Sequence, residues 1–203
     1  MFIAGGTDLL LKMRRGIKTP LGLVRLPRFS GQLCSGKDGV ATISALATLS
    51  DLIKCGELER TFPSLLHGVL SIGSPQIRNV STLAGNLVNA CPACDSAPPL
   101  MVHDAVLVLD SKRGTRKLPV ERFFRGPGET EIAPDELLSG VELALPPPSD
   151  LTTFLKFGSR GANVVASANF ASRVRLQDNK VVLARLAAGS VAPVPVRLRA
   201  VES

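Results

Sequence analysis

Apolar residues recur along this chain at two different spacings, and the alternation between them predicts a succession of short helices and strands. Ile3-Ala4 reads as the end of a buried strand, and Asp8 to Arg15 has helical spacing and is stopped by Gly16. Val40 to Ile43 alternates as a strand does. Ser50 is placed to cap a helix from Asp51 to Leu58, and Pro63 to open another carrying Leu65, Leu66, Val69 and Leu70. Ala105 to Leu109 predicts a strand, Ser111 to Lys117 the turn of a hairpin, and Leu137 to Leu145 a further strand. The run Pro146-Pro147-Pro148-Ser149 then divides the chain. Beyond it Thr153 to Phe157, Val164 to Leu176 and Val181 to Ala188 are β-rich. The pattern predicts an α+β chain in two unequal parts, without repeats.

With 203 residues, 45% hydrophobic and 20% charged, the chain is long enough for a substantial core and too apolar to be disordered. No apolar stretch approaches the roughly 20 residues that cross a bilayer. The first residues carry no basic segment of a secretory signal, so a cytoplasmic location is expected. The net charge of +7 raises the question of nucleic acid. Its basic groups, Lys12, Arg14, Arg15 and Lys18, then Lys112, Arg113, Arg116 and Lys117, lack interleaved aromatics, and there is no Trp or Tyr. An anionic cofactor or an acidic partner subunit suits this balance better.

The four cysteines, Cys34, Cys55, Cys91 and Cys94, are expected as free thiols in a reducing compartment. Cys91-Pro92-Ala93-Cys94 is a single C-x-x-C, and neither the other cysteines nor His67 and His103 complete a metal site. Small side chains packing a tight loop is the favoured reading of this motif, with a redox dithiol as the alternative.

Two segments carry candidate chemistry. Ala4-Gly5-Gly6-Thr7-Asp8 stands between a strand end and a helix start, where glycines allow close backbone approach and free amides face an anion. The second, Gln76 to Asn86, concentrates small residues and hydroxyls where neither helix nor strand patterning holds. Thr82 and Asn86 can donate to phosphate oxygens, Ala84 and Gly85 let the main chain come close, and Asp95 can accept from ribose hydroxyls. The 75 positions between Thr7 and Thr82 suggest a diphosphate held between two lobes. Competing signatures fail. Gly31 to Asp38 lacks the final Ser or Thr of a phosphate loop and should lead into a strand, and no G-x-G-x-x-G follows a strand.

At these residues the chain resembles the FAD-binding medium subunits of the molybdenum hydroxylases, such as xanthine dehydrogenase and carbon monoxide dehydrogenase. Ala4-Gly5-Gly6-Thr7-Asp8-Leu9 is similar to the first FAD motif. Ile77 to Asn86, continuing to Cys94-Asp95-Ser96-Ala97-Pro98-Pro99-Leu100, is similar to the second. Further similar stretches are Phe123 to Gly128, Pro134 to Leu138, Phe154 to Arg160 and Gly189 to Pro193 with Val196-Arg197.

The resemblance implies an α+β fold. A two-lobed FAD-binding domain of the vanillyl-alcohol-oxidase (PCMH) type would occupy residues 1–147, and a partial α+β C-terminal domain residues 148–203. By position, Phe2, Ile3, Ala4, Gly5, Gly6, Thr7, Asp8 and Leu9 would wrap the diphosphate of a non-covalent FAD. Thr82, Leu83, Ala84, Gly85 and Asn86 would complete the grip, and Asp95 would bind the adenosine-side sugar. Ile72 falls near the flavin ring, Leu138 at an adenine-side backbone contact, and Lys156 where a cation reaches the flavin, with Arg160 a lesser support. Electrons would come from molybdopterin in a large subunit through 2Fe–2S clusters in a small one and pass to NAD or another acceptor.

Three departures are notable. Ala84 replaces a glycine of the second motif. The segment that precedes the first motif in the family is missing, and the chain stops at Val201-Glu202-Ser203 where the family's C-terminal helices should begin, so truncation at both ends is expected. The other readings are a self-contained flavin oxidoreductase of the same fold and a non-catalytic fragment that has lost FAD.

Overall fold

The structure, a computed structural model, describes residues 1–29, 32–161 and 163–203. Gly31, the first residue of the Gly31–Asp38 run, lies outside them. The chain opens with β1 (Phe2–Ile3), α1 (Leu9–Arg14) and β2 (Val24–Arg25), with β1 and β2 paired in parallel. The expected strand at Ile3 is present but not buried: Phe2 is exposed and Ile3 half-exposed, because no layer among the described residues covers the two-stranded pair. The helix ends as expected, with Gly16 at a φ of +69°.

β3 (Cys34–Lys37) and β4 (Val40–Ser44) form a tight hairpin through Asp38 and Gly39, both at positive φ. A strand therefore follows Gly36-Lys37, where a phosphate loop would need a helix. Next come α2 (Leu49–Ile53), α3 (Gly56–Thr61) and α4 (Pro63–Leu70). Thr48, not Ser50, caps α2. Its hydroxyl accepts from the Asp51 amide at 3.1 Å while the Asp51 carboxylate accepts from the Thr48 amide at 3.1 Å. Ser50 instead donates to Asn79. The helix expected to reach Leu58 is broken at Cys55, whose extended backbone separates α2 from α3. Pro63 opens α4 as anticipated, and Leu65, Leu66 and Val69 are buried.

The chain continues through α5 (Pro75–Arg78), α6 (Leu83–Val88), α7 (Ala97–Val102), β5 (Val106–Ser111), β6 (Gly114–Pro119), β7 (Phe124–Gly126), β8 (Glu129–Thr130) and β9 (Leu137–Ala144). Beyond the prolines lie β10 (Asp150–Phe157), β11 (Ala168–Gln177), β12 (Lys180–Gly189), β13 (Val196–Arg197) and α8 (Arg199–Glu202). Two sheets result. One is antiparallel in the order β3-β4-β9-β5-β6, the other antiparallel in the order β10-β11-β12-β13.

Strand alternation sends Ala41, Ile43, Leu107, Leu109, Leu138, Val141 and Leu143 into one contiguous core with Leu49, Leu52, Leu65, Leu83, Leu87 and Leu100 of the helices. Helices α4 and α7 also pack against β10, β11 and β12, and Phe154, Ala171 and Ala187 extend the same core into the second sheet. The helical layer thus lies between the sheets, and its loops are held from both sides. No helix among the described residues is long and apolar enough to cross a membrane.

Candidate functional site

The loop Ala4 to Asp8 joins β1 to α1. Gly6 sits at a φ of +71°, which an L side chain rarely adopts. Gly5 has a different constraint. A Cβ there would run into the carbonyl of Val80 and the Cα of Ser81. The first loop therefore crosses directly over the backbone leading into the second, and only a residue without a side chain permits it. The amides of Gly6, Thr7 and Asp8 make no backbone hydrogen bond among the described residues.

The second segment holds most of α5 and the start of α6, two short helices that the sequence pattern does not show. Thr82 is the N-cap of α6, its hydroxyl oxygen accepting from the Gly85 amide at 3.0 Å. Six residues are too few to display an apolar period. The Thr82 hydroxyl hydrogen remains available for a ligand. Leu83 and Ala84 are buried, and their amides donate to Ala47 and Ala45 carbonyls, so they anchor the loop to the β4–α2 connection. Ala84 has no positive φ, and its methyl is accommodated. Asn86 is oriented by its neighbours: Ser96 donates to its Oδ1 at 2.6 Å and the Cys94 thiol at 3.1 Å, and its amide NH2 has no acceptor among the described residues. Burial pushes that thiol up to about 11, so it stays a protonated donor. This agrees with the packing reading of Cys91-x-x-Cys94.

Phe2 through Leu9 line one side of a cleft of about 330 Å³, and Ile72, Thr82, Gly85 and Asn86 line it from elsewhere in the chain. Lys12, Lys18 and Asn89 join them, with Lys12 Nζ donating to Asn89 Oδ1 at 2.6 Å. The sequence shows these lysines only as part of a basic group. Their place becomes clear once α1 is set against α6. A second cavity of about 360 Å³ shares Ala4, Gly5 and Thr82 with the first and adds Arg25, Arg28, Thr48 and Asp51. Gly5 therefore sits where the two spaces meet.

Asp95, Lys156 and Leu138 stand apart from this cleft. Leu138 is buried in β9 opposite Leu109. Lys156 shares the inner face of β10 with Phe154, and its Nζ donates to Asp95 Oδ2 at 2.5 Å and to the Ser71 carbonyl at 2.9 Å. Asn169 donates to the other Asp95 oxygen at 2.8 Å. Burial raises the Asp95 carboxyl from its ordinary value, opposed by Lys156 and Asn169. Lys156 and Arg160 line a larger open cavity of about 880 Å³ with Ser71, Gly73 and Arg78. Ile72 links the two regions, lying in the first cleft between residues that line the other.

Unpaired amides, a hydroxyl, an oriented amide and two lysines around a partly apolar cleft can hold an elongated anionic ligand. The model of the FAD binding domain in molybdopterin dehydrogenase matches residues 1–147, and that of the CO dehydrogenase flavoprotein C-terminal domain matches residues 153–203. The xanthine dehydrogenase FAD-binding subunit of Escherichia coli O157:H7 is 31% identical, covering 98% of this chain and 70% of that protein. The carbon monoxide dehydrogenase medium chain of Afipia carboxidovorans is 28% identical over 96% of this chain and 67% of its own length. A crystal structure of a Cu,Mo-CO dehydrogenase superposes with a TM-score of 0.93 at 27% identity, covering 100% of this chain and 71% of that one. The chain belongs to the family of FAD-binding medium subunits of the molybdenum hydroxylases.

Proposed function

We propose that this chain binds FAD in the cleft between its two loops and relays electrons within a molybdenum hydroxylase. They would arrive from 2Fe–2S clusters of a small subunit, after substrate oxidation at molybdopterin in a large subunit, and leave for NAD or another acceptor. The domain division at 147/148 and a cytoplasmic location belong to the same reading. The crossing of Gly5 over Val80–Ser81 carries it, because that contact brings both loops to one cleft.

The residues fit a dinucleotide. Gly6, Thr7 and Asp8 offer main-chain amides, Thr82 a hydroxyl and Asn86 an amide to the diphosphate, while Lys12 and Lys18 add positive charge. Leu83 and Ala84 act behind them by fixing the loop. Bound FAD supplies two-electron and one-electron redox chemistry. Ile72 would shield the ring from water, and Lys156, one residue behind it through Ser71, would bias the potential through its charge. Asp95, with both carboxylate oxygens engaged, serves in this account to hold Lys156. Contact with a ribose would require it to exchange partners. Leu138 keeps its proposed adenine-side role only through its main chain, since its side chain is in the core.

Purifying the full chain and releasing its chromophore with acid tests the proposal. FAD recovered near one per chain supports it, and a colourless folded protein that takes up no added FAD overturns it. A covalently retained flavin would favour the self-contained oxidoreductase instead; His67 and His103, the residues such a link would use, lie in neither loop.

A further inference from the structure

The cysteines outside the C-x-x-C motif are brought together by the fold. Cys34 begins β3 and is its one buried residue, while Cys55 is the half-buried residue between α2 and α3. Their sulfurs are 3.6 Å apart across 21 positions of chain. Both are free thiols. A disulfide needs the sulfurs to close to about 2.05 Å, roughly 1.5 Å nearer than they stand. Cys94, in contrast, has its thiol directed at Asn86 and Ser96.

We propose that Cys34 and Cys55 form a peroxide-responsive dithiol that closes reversibly to a disulfide between β3 and the α2–α3 junction. Cys55 is the entry point because it is the more exposed. Its sulfur attacks hydrogen peroxide, the O–O bond breaks, and Cys55 becomes a sulfenic acid as one water leaves. Cys34 then attacks the Cys55 sulfur, its thiol proton departing with the hydroxyl as a second water. The two thiols lose two electrons and the peroxide gains them. Burial and the neighbouring Cys55 thiol push Cys34 up to about 12, with Glu57 adding to the effect, which keeps it protonated and leaves Cys55 as the sulfur that meets peroxide first.

The placement gives the bond a structural consequence. Arg25 to Phe29, upstream of Cys34, wall the second cavity, and Thr48 and Asp51, upstream of Cys55, line the same cavity. A closed disulfide would tie these two walls together.

The test treats the native full chain with hydrogen peroxide, blocks remaining thiols and maps the tryptic peptides without reduction. The expected product joins peptides 29–37 and 55–60 at a mass two hydrogens below their sum, and is reversed by dithiothreitol. Its thermal midpoint should exceed that of the reduced chain by about 5 °C. In Cys34→Ser, Cys55 should instead be trapped as a sulfenic acid that reacts with dimedone. Cys34 and Cys55 recovered as blocked thiols after peroxide, Cys55 linked to Cys91 or Cys94, or no dimedone adduct in Cys34→Ser would each overturn the proposal. None of these readouts depends on FAD.

Discussion

Two glycines in the cleft separate a ligand role from a packing role. At Gly5 an added methyl meets main-chain atoms of Val80 and Ser81, which cannot step aside. Gly5→Ala should lower stability by about 1–3 kcal/mol and reduce FAD content together, measured by denaturant unfolding and flavin released per chain. Gly85 faces the cleft, and an added Cβ meets only Thr82 Oγ1, at 3.2 Å. Gly85→Val should therefore cost no more than the Thr82 cap it crowds, about 1 kcal/mol, yet lose FAD. Retained flavin at full occupancy would remove the second loop from the site. The two glycine motifs were legible in the sequence because turns and close approach demand that residue type. The pairing of Gly5 with Val80 was not, since it is a contact between distant segments.

At the scale of elements, the sequence showed where polarity changes more reliably than which residue caps. Val40–Ser44, Pro63–Leu70 and Leu137–Ala144 follow their apolar patterns closely. Thr48 and Ser50 are both cap residue types, and only Asp51 three positions beyond Thr48 distinguishes them. Helix α6 leaves no mark in the apolar pattern because its first turn is held by tertiary bonds to Ala45 and Ala47 rather than by its own periodicity. The contact between α4 and α7 carries a pH prediction. His103 ends α7, is buried edge-on against Phe62, and lies 3.3 Å from the Ser64 hydroxyl. Burial lowers it from 6.5 to about 4, with the charge of Arg173 adding to the effect. A base held neutral in the folded state stabilises fully above 6.5, and that contribution is lost as pH falls towards 4, where the unfolded chain gains the proton first. Unfolding free energy should thus decline across that window by on the order of 3 kcal/mol. His103→Gln should flatten that part of the profile; an unchanged slope would place the titrating group elsewhere.

Across the whole molecule, the second sheet is joined to the helical layer by polar contacts as well as by the shared core, and this determines what a change at Lys156 can report. Lys156 and Asn169, from β10 and β11, hold the buried Asp95 carboxylate that precedes α7, and Arg197 donates to the Met101 carbonyl near the end of that helix and to Asp104 just beyond it. The Lys156 and Asp95 side chains are 12% and 6% exposed, so removing one partner leaves the other charged in a poorly solvated place. Lys156→Met alone should cost about 3–5 kcal/mol and weaken FAD retention for that reason, whatever its effect on the flavin. Adding Asp95→Asn removes the uncompensated charge, and the double variant should recover most of the loss in denaturant unfolding. The flavin potential is informative when that double variant is compared with Asp95→Asn alone, since both lack the Asp95 charge. If Lys156 acts on the flavin through its charge, the potential should be lower in the double variant, because an anionic reduced ring loses a nearby cation. Equal potentials in the two would leave Lys156 with only the task of joining β10 to the loop before α7.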